Sequence, residues 1–357
     1  MTGKTGPMMR GVAAGAVAAL LTFGAAAQDF KPFSLRVLGS FGNQLQSSAV
    51  EEPYFKQELP KVSEGKVDVN FKRMDEVGLK GFDAMRLLKL GVFDLMEIQI
   101  GYVSGDEPFF NGVDMLGVAP DIGTARKLVD AYREGFDKRL QEKFNGKLVA
   151  MWPYPGQMFF CNKPIESIES LKGLKIRAFT PAMASLVEGL GGISVTLAFP
   201  EVYQSLQRGV VDCAISGSMA GNTAKWPEVS THFYPLALGW GLQAHVANLD
   251  FWNKLSPAQR EFLGGEMKKL EDRLWELGDK STQDGIECNT GTGPCDYGTA
   301  YKMKLVPVTQ ADIDRMQAVV REKVLPEWIA ECKRTYPECD KMWAETGGKV
   351  TGVMPKS

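Results

Sequence analysis

Strand-like and helix-like patterns alternate along this chain. Ser34–Phe41 (SLRVLGSF) is an apolar run with a glycine near its exit, and it predicts a strand. Gln44–Ser63 places apolar residues at helical spacing, whereas Lys66–Met74 (KVDVNFKRM) alternates with period two and predicts a second strand. Phe82–Leu90 reads as a helix ending at Gly91, and Phe93–Ile100 (FDLMEIQI) as a short buried strand. Thr124 is placed to cap a helix running to about Phe144, with Leu128, Ala131 and Phe136 on one side. Leu148–Trp152, Met158–Asn162 and Leu174–Phe179 are strand-like. Thr180-Pro181 opens a helix to Leu190, with proline at its first position. Pro200–Gln207 is a short helix and Val210–Ser216 another strand. Ser256-Pro257 starts a long charged helix to about Gly278, and Thr309 starts a last one to about Tyr336. This alternation, with no internal repeat, predicts an α/β fold with mainly parallel sheets.

The first 27 residues break the pattern. Lys4 and Arg10 are their only charges, an apolar stretch runs from Gly11 to about Phe23, and Ala25-Ala26-Ala27 precedes Gln28. A basic start, an apolar middle and a small-residue cleavage site read as an export leader. The apolar run is shorter than the roughly 18–20 residues that span a bilayer. The expectation is a periplasmic protein whose mature chain begins at Gln28. Without Lys4 and Arg10, 39 basic residues face 43 acidic ones. A sequence pI near 5.9 gives no support for nucleic-acid binding. At about 330 mature residues, two lobes are expected rather than one.

The six cysteines fit an oxidising compartment. Cys288 and Cys295 flank a Gly- and Pro-containing loop, and Cys332 and Cys339 flank a turn-like segment of the same spacing. Each pair is expected to close a short disulfide loop. Cys161 and Cys213 lie inside apolar strand-like runs and are expected as buried thiols. No C-x-x-C or Cys/His cluster stands in the chain, so no metal site and no cofactor are expected.

Nothing in the sequence demands catalysis. No G-x-S-x-G elbow, P-loop or dinucleotide-binding fingerprint is present, and Gly189–Gly192 ends a helix instead. The two histidines, His232 and His245, are read as packed or surface residues. The segment Leu171–Asp212 is the chemically distinctive one. Arg177 lies near the end of an otherwise apolar strand, just before the Thr180-Pro181 helix start. A guanidinium fork and free helix N–H groups both attract an anion. By residue type alone, an anion-binding role and a structural ion pair are both open for Arg177.

That segment resembles the substrate-binding subunits of the tripartite ATP-independent periplasmic (TRAP) transporters. The matching pieces are Asn162-Lys163-Pro164-Ile165, then Leu171-Lys172-Gly173-Leu174-Lys175-Ile176-Arg177, then the run from Glu201 to Asp212 (EVYQSLQRGVVD). Gly91-Val92-Phe93-Asp94 and Pro108-Phe109-Phe110 match upstream, and the run Ala247–Ser256 matches downstream. The resemblance covers nearly all of the mature chain and implies a two-lobed, type II-like periplasmic binding protein with a hinge and a long helix spanning the lobes. It places 28–154 plus 243–282 in lobe I, 155–242 plus 283–345 in lobe II, and 346–357 in a C-terminal tail. The implied function is capture of a small organic acid for delivery to membrane permease subunits. Arg177 matches the family's carboxylate-clamping arginine. Gln157 stands where relatives often carry a second arginine, which implies one carboxylate rather than two: a 2-oxo, 2-hydroxy, aromatic or cyclic acid. Ser216 matches a ligand-lining position. It falls in a Cys213–Gly217 run that lacks the acidic residue used by metal-assisted relatives.

Gln99 and Tyr102, at the end of the Phe93–Ile100 strand, are further pocket candidates, as are Trp240 between glycines and Asn43 after the first strand. Asn222 and Trp226 either shape the site or form a loop. Monomer and homodimer both stay open. The competing reading is an exported enzyme that acts on a small carboxylate.

Overall fold

The period-two run and the short apolar runs become strands in the computed structural model, which describes residues 1–3, 6 and 30–356. The leader expected over residues 1–27 lies, but for four positions in coil, outside the described residues. In chain order the strands are β1 (Phe33–Gly39), β2 (Val67–Arg73), β3 (Leu95–Gln99), β4 (Gly146–Pro153), β5 (Gln157–Cys161), β6 (Lys175–Ala178), β7 (Ile193–Thr196), β8 (Cys213–Gly217), β9 (His232–Tyr234), β10 (Leu242–Asn248) and β11 (Lys304–Leu305). They form two sheets, ordered β2-β1-β3-β10-β4 and β11-β9-β5-β8-β6-β7. Helices lie against each sheet, so the chain has two α/β lobes. Parallel pairing predominates narrowly, because β10 runs antiparallel to β3 and β4, and β5 antiparallel to β8 and β9.

The antiparallel strands are where the chain crosses between lobes. β4 leads into β5 within three residues, and β9 returns to β10 through residues 235–241. The two crossings stay hydrogen-bonded to each other: Gln157 donates its backbone N–H to Gly239 O at 2.8 Å, and Leu238 to Gln157 O at 2.9 Å. Asp114 holds this ribbon from the first lobe by accepting the Leu242 N–H at 3.0 Å.

The long helix Pro257–Thr290 backs both crossings. Trp275 Nε1 donates to Met151 O at 2.8 Å, Gly156 N to Thr282 Oγ1 at 3.0 Å, and Ser218 Oγ to Thr282 O at 2.8 Å. The sequence placed its end near Gly278. That glycine instead lies where a Cβ would stand 3.0 Å from the Pro153 carbonyl, so it permits close packing, and the helix runs on to a left-handed cap at Gly291. Asp121, not Thr124, caps the Ile122–Phe144 helix; its carboxylate accepts both the Thr124 N–H and the Thr124 hydroxyl. Thr180 caps Pro181–Gly189 as expected, accepting from Met183 N.

Residues 310–333 form the last long helix, followed by short helices at Cys339–Glu345 and Gly347–Thr351. These elements touch both lobes. Ser185 meets Glu327 on one side, while Trp328 Nε1 reaches Pro108 O at 2.7 Å on the other.

Disulfides join Cys288 to Cys295 and Cys332 to Cys339. Cys161 and Cys213, expected as free thiols, are also bonded to each other. They are direct cross-strand partners on β5 and β8, so both side chains leave the same face. A separation of 52 residues hid this pairing from any spacing argument.

Candidate functional site

A cleft lies between the sheets, at the carboxyl ends of the parallel strands, where open α/β sheets bind ligands. Ser40 after β1, Met74 after β2, Gln99 at the end of β3, Phe179 after β6 and Ser216 near the end of β8 all line the cleft. Tyr154, Gln157 and Gln243 from the crossing strands form its floor. It holds about 450 Å³ of empty space, open solvent included.

Arg177 is the cation of this cleft and is only 1% exposed. It sits on β6 between β7 and β8, where every neighbour is packed. Its Nε donates to Leu197 O at 3.0 Å and its Nη1 to Ile215 O at 2.7 Å, while Nη2 stands 3.5 Å from the Tyr102 hydroxyl. The guanidinium lies 4.6 Å from the Phe179 ring centroid and 6.0 Å from that of Trp226. Two carbonyls and two rings thus fix its plane. Among the described residues no carboxylate forms an ion pair with it; burial pulls its pKa down, and Glu201, beyond ion-pair distance, pushes it back up only in part. A desolvated cation held in place without an ion-pair partner can take an anion that enters the cleft.

The opposite wall is acidic. Glu97, on β3, is 1% exposed and lines the cleft, and its Oε1 has no hydrogen-bond partner. Burial first, and Glu51 second, raise its pKa well above the ordinary carboxylate value. Glu51 accepts the Ser40 N–H at 2.9 Å and faces His245 Nε2 at 2.9 Å. Trp152 Nε1 donates to His245 Nδ1 at 3.0 Å, so that nitrogen is the acceptor and Nε2 carries the proton toward Glu51. Tyr154 and Ser40 share a hydroxyl contact beside them.

Five of the seven ligand candidates meet in this cleft: Arg177, Gln157, Ser216, Tyr102 and Gln99. Tyr102 crosses from the first lobe, its hydroxyl accepting the Phe199 N–H at 2.8 Å. Gln157 donates Nε2 to Pro155 O at 3.1 Å, which leaves Oε1 facing the cleft without a donor. Trp240 is not in the lining; it sits in the crossing segment and donates Nε1 to Ala119 O at 3.1 Å. Asn43 is exposed in the turn after β1, and the next residue, Gln44, turns inward in its place. The Pro181–Gly189 helix start does not reach the lining either, since Thr180 already satisfies it.

Trp226 packs under Arg177, whereas Asn222, on the short helix Ser218–Thr223, bonds to Asn289 and Thr299 away from the cleft. Both histidines are buried; His232, bonded to Thr231, lies outside the cleft lining, and burial lowers its pKa. The sequence reading missed Glu97, Gln243 and Tyr154. Glu97 carried a signal, as the one charge within the strand Leu95–Gln99 (LMEIQ). Among the described residues no cluster suited to a metal ion is present, and no helix is long and apolar enough to cross a membrane.

A family model described as bacterial extracellular solute-binding protein, family 7, matches residues 42–324. The sialic acid-binding periplasmic protein SiaP of Vibrio cholerae is 25% identical over 267 residues, covering 71% of this chain and 79% of that protein. The ectoine-binding periplasmic protein TeaA of Halomonas elongata is 29% identical over 147 residues, 40% of this chain and 43% of its own. Among solved structures, a TRAP periplasmic solute-binding protein of Desulfovibrio salexigens with bound orotic acid superposes with a TM-score of 0.78. It is 18% identical and covers 89% of this chain and 99% of that one. A Bordetella pertussis extracytoplasmic solute receptor binding pyroglutamic acid gives 0.76 at 18% identity, covering 88% and 99%.

Proposed function

The chain belongs to family 7 of the bacterial extracellular solute-binding proteins, the receptors of TRAP transporters, and from that premise we propose that it captures a small organic monocarboxylate. The observation that carries this reading is Arg177, buried and without a counter-ion among the described residues. A ligand carboxylate takes the free face of its fork, and Tyr102, Gln99, Gln157 and Ser216 line the space around the remainder. The wall at Glu97 offers no positive charge to a second carboxylate, which favours monocarboxylates over dicarboxylates. Binding seats the acid between two lobes that hinge on the ribbon at 154–156 and 235–241, and the loaded receptor then meets the membrane permease. Export through the leader at 1–27 puts it in the periplasm.

A thermal-shift screen tests this. The panel is 2-oxo, 2-hydroxy, aromatic and cyclic monocarboxylates, amino-bearing members included, with dicarboxylates as control. At least one monocarboxylate should raise Tm and be recovered chemically unchanged. Conversion of the acid into a product would favour the enzyme reading instead, and stabilisation by dicarboxylates alone would overturn the single-carboxylate assignment.

A further inference from the structure

We infer that the solute is a zwitterion: its carboxylate goes to Arg177, and a positively charged nitrogen bearing N–H faces Glu97 across the same cleft. This deepens, and rests on, the Arg177 reading. The wall around Glu97 offers acceptors in excess. Glu97 Oε1, Gln44 Oε1, Gln157 Oε1 and Gln243 Oε1 all line the cleft or its floor, and all lack a donor among the described residues. Two of the amides cannot simply turn over, because their nitrogens are engaged: Gln157 Nε2 on Pro155 O, and Gln243 Nε2 on Gly241 O at 2.8 Å. Four buried acceptors without donors call for a ligand that brings hydrogens.

Charge narrows the class further. Glu97 is buried beside a second acid, Glu51, and no Lys or Arg among the described residues pairs with either. His245 stands directly opposite Glu97 on β10, but its one N–H points at Glu51. The other titratable groups facing Glu97 are the phenols of Tyr102 and Tyr154, which bring no positive charge. Arg177 serves the other end of the cleft. A hydroxyl on the ligand would satisfy an acceptor yet bring no charge to pair with an ionised Glu97. An ammonium or amidinium satisfies both. The raised pKa of Glu97 adds a signature: pairing with a cation favours its ionised form, so binding releases a proton wherever Glu97 holds one in the empty protein.

Matched ligand sets that differ only at the nitrogen test the inference by calorimetric titration. One set is L-proline against tetrahydrofuran-2-carboxylate and cyclopentanecarboxylate. The other is L-2-aminobutyrate against 2-hydroxybutyrate and 2-oxobutyrate. The nitrogen member should bind the wild-type protein at least thirtyfold more tightly, with a heat that varies with the buffer's ionisation enthalpy. Glu97→Gln should shrink that preference below threefold. Arg177→Ala should abolish binding of every member. Equal wild-type affinity across a set overturns the zwitterion and leaves the Arg177 reading standing. Undiminished binding to Arg177→Ala overturns the Arg177 reading itself, and a wild-type protein silent to both sets contradicts the two together. The wild-type comparison needs no variant, so a misfolded Glu97→Gln would not shield the inference.

Discussion

Arg177 is held by geometry rather than by charge. Carbonyl oxygens of Leu197 and Ile215 and the Phe179 ring fix its plane while leaving its charge uncompensated, so the empty protein carries a desolvation cost that an anion relieves. Arg177→Lys tests whether the planar fork matters beyond its charge. A lysine cannot donate to two carbonyls and a carboxylate in one plane, so affinity for the best monocarboxylate should fall at least tenfold while the fold survives. Affinity within threefold of wild type would show that charge alone is read. The place of Arg177 in the cleft was legible in the sequence, because the residue stands near the end of a mostly apolar strand beside a Thr-Pro helix start. Glu97 is the one charge of its own strand but matched no expected motif. The choice between Asn43 and Gln44 was not legible, since a one-residue difference in how a turn winds decides which side chain faces in.

Between the lobes, the crossing ribbon and the long helix carry the mechanics. Gly278 permits the close packing of that helix against Pro153, so a residue type that usually marks a helix end lies inside this one. Element types and order could be read from periodicity and caps. The crossings could not, because β4 pairs with β10 and β5 with β9 across some 70 to 100 residues, separations that no local pattern encodes. Asp114 fastens the ribbon and is itself poised: burial lifts its pKa to about 7 against three backbone N–H groups that pull it down. A folded-state value above the unfolded one means that, from about pH 4 to about pH 7, the native protein holds a proton the unfolded chain has lost. Stability therefore falls as pH rises through that window, by an upper bound on the order of 4 kcal/mol. Asp114→Asn removes this penalty. Urea midpoints at pH 4, 5.5, 7 and 8 should show the variant gaining on wild type with rising pH and levelling above about pH 7. A constant difference would mean that Asp114 does not titrate there.

Across the whole molecule the two lobes touch. Phe41 stacks on Phe199 at 6.1 Å, Lys80 pairs with Glu201 at 2.8 Å, and Tyr102 meets Phe199 and Arg177. Gly101 lies where the lobes come nearest; a Cβ there would fall inside contact distance of Thr180 Cγ2 and stand 2.9 Å from the Phe179 ring. Gly101→Ala should therefore prop the lobes apart. Small-angle scattering should show ligand-driven compaction in wild type and little in the variant, with affinity at least tenfold weaker. Equal compaction in both would mean that closure does not pass through this contact. The two-lobed class was legible from length, alternation and motif order, but the cleft's contents depended on which strand ends face each other. The most direct measurement of all is a crystal structure of the protein with its tightest-binding acid. The ligand carboxylate should lie about 3 Å from the guanidinium nitrogens of Arg177. A guanidinium swung onto a protein carboxylate such as Glu201, with the acid bound elsewhere, would contradict it.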